Sequence, residues 1–370
     1  MDIVLHIGMP KTGSTSIQNM LEANRDVFAD HGVLYPVSPG RRNAQLGLPA
    51  RIHAMTGEYE GIRPRVAKAM RETIGSDADA ERFDCAFARE LERSGARRCV
   101  ISCEALWSFA TVPHRVELLA RYLQPFGRLR VIAYLRRQDR HVTSFHAHTK
   151  RFGEPQSLDE LAREYRLSGF YDYERHLGTW RAACGPDGAI VRPYERSALV
   201  GGDATTDFVE TLALPSITVE PGAYGSNPSL DRTGVAFMNT IGRTVTLQDD
   251  DGLPTPLAVA LQRRLCGRPG DGPPRWAASK ARAFLAHFED GNARIARDYL
   301  GRADGTLFRE PVEGPEEDDP ETLDHDAFAK LSAAMFAEES ERADAMTRKL
   351  REAREYAVRL RAERDAALAG

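Results

Sequence analysis

The sequence predicts an α/β fold, a parallel sheet flanked by helices, with a helical tail at the C-terminal end. Three observations predict it. Apolar runs of strand length recur at 3–7, 98–104, 129–136 and 189–194, and segments of helical periodicity lie between them. The first run passes through a Gly/Pro turn straight into a helix start at Ser14-Thr15-Ser16. Finally, Lys11, Glu104 and Arg136 each stand at or just past the end of such a run, where open α/β sheets bind their ligands.

The elements follow in order. Residues 3–7 read as a buried strand and 14–30 as the first helix, closed by His31-Gly32. A short extended piece, 33–35, stops at Pro36. Residues 36–63 carry Gly, Pro, Arg and Asn with weak periodicity and read as a long loop or lid. Helices are expected at 64–74 and 78–95, then the strand at 98–104, a helix at 113–125 and the strand at 129–136. Further helices are expected at about 139–152, 157–167, 172–183 and 203–213, with the strand at 189–194 before the last. Beyond a Pro/Gly/Ser-rich stretch at 215–226, helices are expected at 227–241 and 277–300, separated by irregular segments at 245–256 and 267–275.

Residues 309–325 are acidic and contain proline, the composition of a linker. The tail, 326–370, has a thin apolar stripe through Phe328, Leu331, Met335, Met346 and Leu350 at spacings of three, four and more. That stripe suits either a homo-oligomeric coiled-coil seam or a helix docked on its own domain.

The 370 residues have a net charge of −4, so no global basic field points to nucleic acid. The five cysteines have no metal-type spacing, and Cys99 and Cys103 lie inside an apolar run as buried thiols. That usage fits a reducing cytoplasm. No signal-peptide pattern precedes the first strand, and no apolar run reaches 18 residues, so no membrane span is expected.

The strand–turn–helix at 3–17 is an anion cradle by construction. Backbone N–H groups at a helix start are unpaired and the dipole is positive there. Gly8 and Gly13 let the backbone approach a phosphate, and Lys11 adds a positive charge. Gly8 and Gly13 also have the separation of a nucleotide-triphosphate loop, G-x-x-x-x-G-K-[ST]. Ser14, however, stands where that loop has its lysine. A second set of anion ligands follows at the third strand end: Arg136, then Ser144 eight residues on. A guanidinium fork binds phosphate oxygens bidentately, and a hydroxyl supplies a further donor.

These residues carry a family resemblance. Pro10-Lys11-Thr12-Gly13-Ser14-Thr15-Ser16 resembles the 5′-phosphosulfate loop of sulfotransferases, which use 3′-phosphoadenosine 5′-phosphosulfate (PAPS). Arg136 and Ser144 resemble that family's 3′-phosphate motif. Glu104, closing Ile101-Ser102-Cys103, resembles the strand-end general base of several carbohydrate sulfotransferases; the alternative is a carboxylate stabilised by a helix dipole. His53, in the 36–63 loop, is the reserve base. Weaker likenesses to bacterial members occur at Arg192-Pro193-Tyr194-Glu195, Asn227-Pro228-Ser229-Leu230 and 292–300, so the resemblance covers 1–308. The small-molecule members' Arg-Lys-Gly loop is absent from the sequence.

The resemblance implies a P-loop-kinase-like fold and PAPS as donor without a metal. Lys11 and the backbone of Thr12, Gly13, Ser14, Thr15 and Ser16 would sit at the phosphosulfate, Arg136 and Ser144 at the 3′-phosphate, and Lys11 and Glu104 in catalysis. The acceptor would be a hydroxyl or amine, on a carbohydrate, glycoconjugate or small molecule; by elimination, the 36–63 loop and the 153–175 segment, with Phe170, Tyr171 and Tyr173, are expected to line its cleft. A Mg-ATP kinase and a non-catalytic nucleotide-binding scaffold are the alternatives. His141, His146 and His148 do not share one helix face, so they are not read as a metal site.

Overall fold

A run of β-formers bounded by polar residues makes β1 (Asp2–His6), and four more strands join it. They are β2 (Val33–Leu34), β3 (Arg98–Ser102), β4 (Arg128–Leu135) and β5 (Ala189–Pro193). All pair in parallel, in the order β2-β3-β1-β4-β5. The computed structural model describes residues 1–40, 45–59, 62–214, 216–225, 229–266, 272–319 and 321–369.

Alternation along the strands divides the interior. Ile3, Leu5 and Ile7 point to one face with Cys99, Ile101, Val131 and Ala133. Val4 points to the other with Val100, Ile132 and Tyr134. Both faces are buried, so these strands read as continuous apolar runs, as parallel strands do.

The helices are α1 (Ser14–Ala23), α2 (Arg25–Asp30), α3 (Gly47–Thr56), α4 (Pro64–Thr73), α5 (Asp77–Ser94), α6 (Pro113–Leu123) and α7 (Gln138–Lys150). There follow α8 (Leu158–Leu167), α9 (Tyr173–Cys184), α10 (Ala204–Thr211), α11 (Arg232–Gly242) and α12 (Pro256–Leu265). The chain closes with α13 (Ala278–Leu285), α14 (Glu289–Leu300) and α15 (His325–Ala369). The α1 and α10 residues Ile17, Met20, Leu21 and Phe208 cover the Val4 face. Residues of α3, α5, α6, α7 and α9 cover the other. A third apolar cluster joins α11, α12 and the start of α15.

Several boundaries differ from the sequence expectation, each for a local reason. The 14–30 helix breaks at Asn24, whose φ is −115° and whose side-chain amide donates to the Met20 carbonyl at 2.8 Å. The 36–63 segment contains α3; Gly47, Leu48, Pro49, Ala50, Ile52 and His53 are all buried, so no apolar stripe marks it. Residues 41–44, 60 and 61 of that segment lie outside the described residues. Helix α12 begins with Pro256 behind a Thr255 N-cap, a start signal the expectation passed over. The 277–300 helix is interrupted by a 3-10 turn at Ala286–Phe288.

The acidic 309–325 stretch is held against the domain. Asp318 accepts from the Ala277 N–H at 2.7 Å, Asp319 from the Arg275 N–H at 2.9 Å, and Glu321 from the Leu158 N–H at 3.0 Å. Helix α15 is docked at its start, where Phe328 stacks on Phe237 at 5.0 Å and Met335 is buried. Arg264 of α12 pairs with Glu339. Beyond that point Met346 and Leu350 are exposed. Among the described residues, no helix is long and apolar enough to cross a membrane.

Candidate functional site

The loop after β1 is shaped by two left-handed residues. The Ile7 and Met9 N–H groups still donate to β4, at 3.0 Å to Ile132 and 3.4 Å to Tyr134. The chain then turns through Lys11 (φ 68°) and Gly13 (φ 78°). A lysine in that region costs about 1–2 kcal/mol, and the surrounding structure holds it there. The Thr12 hydroxyl donates to the Met9 carbonyl at 2.6 Å and closes the turn. Gly13 is required twice over, for its φ and because a Cβ would stand 2.9 Å from that of Ala204.

Helix α1 starts without a side-chain cap and without an acid in its first turn. The N–H groups of Gly13, Ser14 and Ser16 donate to no acceptor among the described residues. The Ser16 hydroxyl is used, donating to the Gly225 carbonyl at 2.7 Å. These unpaired donors on a positive dipole end are what an anion needs.

Lys11 Nζ donates to Ser229 Oγ at 3.0 Å. Burial, and then the charges of Arg136 and Arg151, pull its pKa down to about 8. Arg136 reaches across from the end of β4, and its Nη1 donates to the Lys11 carbonyl at 2.8 Å. Its guanidinium lies 5.7 Å from the centre of the Tyr194 ring, and the Tyr173 hydroxyl donates to its carbonyl at 2.8 Å. Burial pushes the Arg136 pKa down. Neither Lys11 nor Arg136 has a carboxylate partner among the described residues.

The next arginine is different. Arg137 donates to both Asp139 oxygens, at 2.8 and 3.0 Å, and to the Glu310 and Pro311 carbonyls. The Glu195 carboxylate accepts the Arg309 and Glu310 N–H groups at 2.7 and 3.0 Å. Arg137 and Glu195 therefore fasten 309–311 beside the strand ends. Ser144, midway along α7, is buried, and its hydroxyl makes no hydrogen bond among the described residues.

On the other side of β1, the Cys103 N–H donates to the His6 carbonyl at 3.0 Å and carries the pairing to the strand end. Glu104 then opens a 3-10 turn, Glu104–Thr111. Gln18 of α1 donates to Glu104 Oε2 at 2.9 Å and to the Ser102 carbonyl at 3.4 Å. That amide ties the carboxylate to the helix that follows the anion loop. Central β1, flanked by β3 and β4, thus brings Lys11, Glu104 and Arg136 to one edge of the sheet.

Other expected residues have structural duties. His53 is not on the surface: it is buried in α3, stacked on Tyr59 at 5.2 Å and edge-on to Phe109 at 5.1 Å. Tyr171 and Tyr173 are fully buried and line no open cleft. His141 shares a hydrogen bond with Tyr171 at 2.8 Å, and His146 with the Gln156 carbonyl at 3.2 Å, so the three α7 histidines do not converge. Of the segment at 227–230, residues 227 and 228 lie outside the described residues. Sequence reasoning missed Gln18, and it met Tyr194 only in a weaker family likeness, with no role at the site. Gln18 could have been found by its position on α1, one turn from Ser14.

No family model matches the chain, and no solved structure matches it. An uncharacterized protein of Archaeoglobus fulgidus is 25% identical over 173 residues, which is 46% of this chain. The match spans 46% of that relative as well, so the likeness covers about half of each protein.

Proposed function

We propose that the protein is a sulfotransferase that moves a sulfonate from PAPS to a hydroxyl or amine acceptor, a carbohydrate or other small molecule. The observation that carries the reading is the bond from Arg136 to the Lys11 carbonyl, 2.8 Å long. It couples the arginine at the end of β4 to the anion loop after β1. Both cations lack carboxylate partners among the described residues, beside an uncapped helix start. Two separated anionic groups fit such a site better than one.

The donor set fits PAPS. The N–H groups of Gly13, Ser14 and Ser16, with Lys11, would hold the 5′ end, and Arg136 and Ser144 the 3′-phosphate. Bound PAPS supplies an electrophilic sulfur and a stable leaving group, 3′,5′-ADP. With PAPS bound, the Lys11 ammonium would stabilise the negative charge that develops on that leaving group. Glu104 takes the proton from the acceptor hydroxyl or amine as it attacks. Gln18 holds one Glu104 oxygen, which leaves the other to accept that proton.

A thermal-shift comparison tests the choice of nucleotide. The expected order is the largest rise in melting temperature with 3′,5′-ADP and smaller rises with 5′-AMP and with Mg-ATP. The largest rise with Mg-ATP would instead assign a kinase, and no rise with any nucleotide would contradict both enzyme readings and the nucleotide-binding scaffold as well.

A further inference from the structure

We propose that the acceptor itself carries an anionic group, a carboxylate, sulfate or phosphate, which seats between Arg65 and Arg151 beside Lys11. The inference rests on the sulfotransferase reading for the word acceptor, and on the following geometry for the anion.

Along α7, Ser144, His148 and Arg151 lie at spacings of four and three, so they share one face. That face continues from the Arg136 end of the helix toward Phe152. Two guanidinium groups meet the Phe152 ring: Arg65 of α4 at 3.9 Å and Arg151 at 5.6 Å from its centre. The His148 ring meets Phe152 edge-on at 5.3 Å. Two guanidinium groups and one imidazole, the imidazole held neutral by burial, thus meet a single phenyl group.

They are not neutralised from within. Arg151 is 8% exposed, and its Nε has no hydrogen-bond partner. His148 Nδ1 is also buried without a partner. Neither Arg65 nor Arg151 has a carboxylate partner among the described residues. The neighbouring Arg63 does, with Glu154 at 3.1 Å and the Tyr165 hydroxyl at 3.1 Å. Burial, and to a smaller extent the charge of Arg151, lowers the pKa of Lys11, Arg65 and His148.

Like charges held together and partly out of water are costly unless an anion joins them. The two ends of PAPS account for Lys11, Arg136 and Ser144. They leave the two guanidinium groups of Arg65 and Arg151 for a further negative group, next to the lysine where transfer would occur. An uncharged acceptor would leave Arg151 Nε buried and unsatisfied.

The test is a calorimetric titration of the full-length protein saturated with 3′,5′-ADP. Inorganic sulfate and D-glucuronate are titrated in separate arms, with D-glucose as the uncharged control. Sulfate, glucuronate or both should bind and glucose should not; which of the two binds identifies the anion. Arg65→Gln, which removes the exposed one of the two guanidinium groups, should weaken anion binding at least about tenfold. It should change 3′,5′-ADP affinity less than about twofold, and Arg65→Lys should recover part of the loss. Arg151→Gln should act like Arg65→Gln. Anion binding unaltered by Arg65→Gln, or no anion binding at all, overturns the pocket while leaving the nucleotide reading intact. Failure of 3′,5′-ADP to bind overturns the sulfotransferase reading and the acceptor assignment with it.

Discussion

At the scale of single residues, the proposed chemistry rests on Glu104 and Lys11. Gln18 aims one Glu104 oxygen through a 2.9 Å bond, so removing the charge without the shape is the informative change. Glu104→Gln should lower turnover at least about a hundredfold and leave 3′,5′-ADP affinity within a factor of two. Steady-state kinetics beside a binding titration would read both; near-normal turnover would take the role of base away from Glu104. Lys11 offers a pH signature. Its pKa is drawn down to about 8, so the ammonium is present below that pH and is lost as pH rises through it. Affinity for 3′,5′-ADP should therefore fall above pH 8, by up to about tenfold per unit. Lys11→Arg, which keeps its charge, should flatten the profile. A wild-type profile that is flat from pH 7 to 9.5 would remove Lys11 from the phosphate.

The secondary-structure elements place these residues, and they differ in how readable they were. Strands β1, β3 and β4 are buried on both faces, so their sequences are apolar runs with polar ends, and those ends are where Glu104 and Arg136 stand. Helix α3 was not readable, because it is buried nearly all round and contains Gly47 and Pro49. Helix α15 was half readable. Its apolar stripe has two environments: Phe328 packs on Phe237, whereas Met346 and Leu350 face outward. Those environments predict different costs. Phe328→Ala should destabilise the protein by about 2 kcal/mol, because it uncovers the apolar cluster of α11 and α12. A chain ending after residue 342 should keep the full-length stability within about 0.5 kcal/mol. Chemical denaturation of both variants reads the difference. Equal losses would mean that the outer half of α15 is also packed.

Across the whole molecule, the parallel sheet and the strand–turn–helix that joins β1 to α1 were legible because they rest on local patterns: apolar runs, glycine spacing and a serine-rich helix start. The partnerships were not. Arg136 and Arg137 are adjacent and identical in the sequence, yet one faces the loop and the other is bound by Asp139 and the 309–311 strap. Only tertiary packing separates them. His53 likewise sits in a polar-looking segment but is buried against two aromatic rings. The basic cluster around Phe152 draws on α4 and α7, 87 positions apart between Arg65 and Phe152, so no local pattern could have revealed it.

The central claim is that Arg136 recognises a 3′-phosphate on a nucleotide whose other end sits in the anion loop. The most direct measurement is calorimetric titration of 3′,5′-ADP and 5′-AMP into the wild-type protein and Arg136→Ala. Charge-assisted hydrogen bonds of this kind contribute about 1.5–3 kcal/mol. The wild-type protein should therefore bind 3′,5′-ADP at least about tenfold more tightly than 5′-AMP, and Arg136→Ala should lose most of that preference while binding 5′-AMP nearly unchanged. An equal preference in the two proteins, or none in the wild type, would contradict the account.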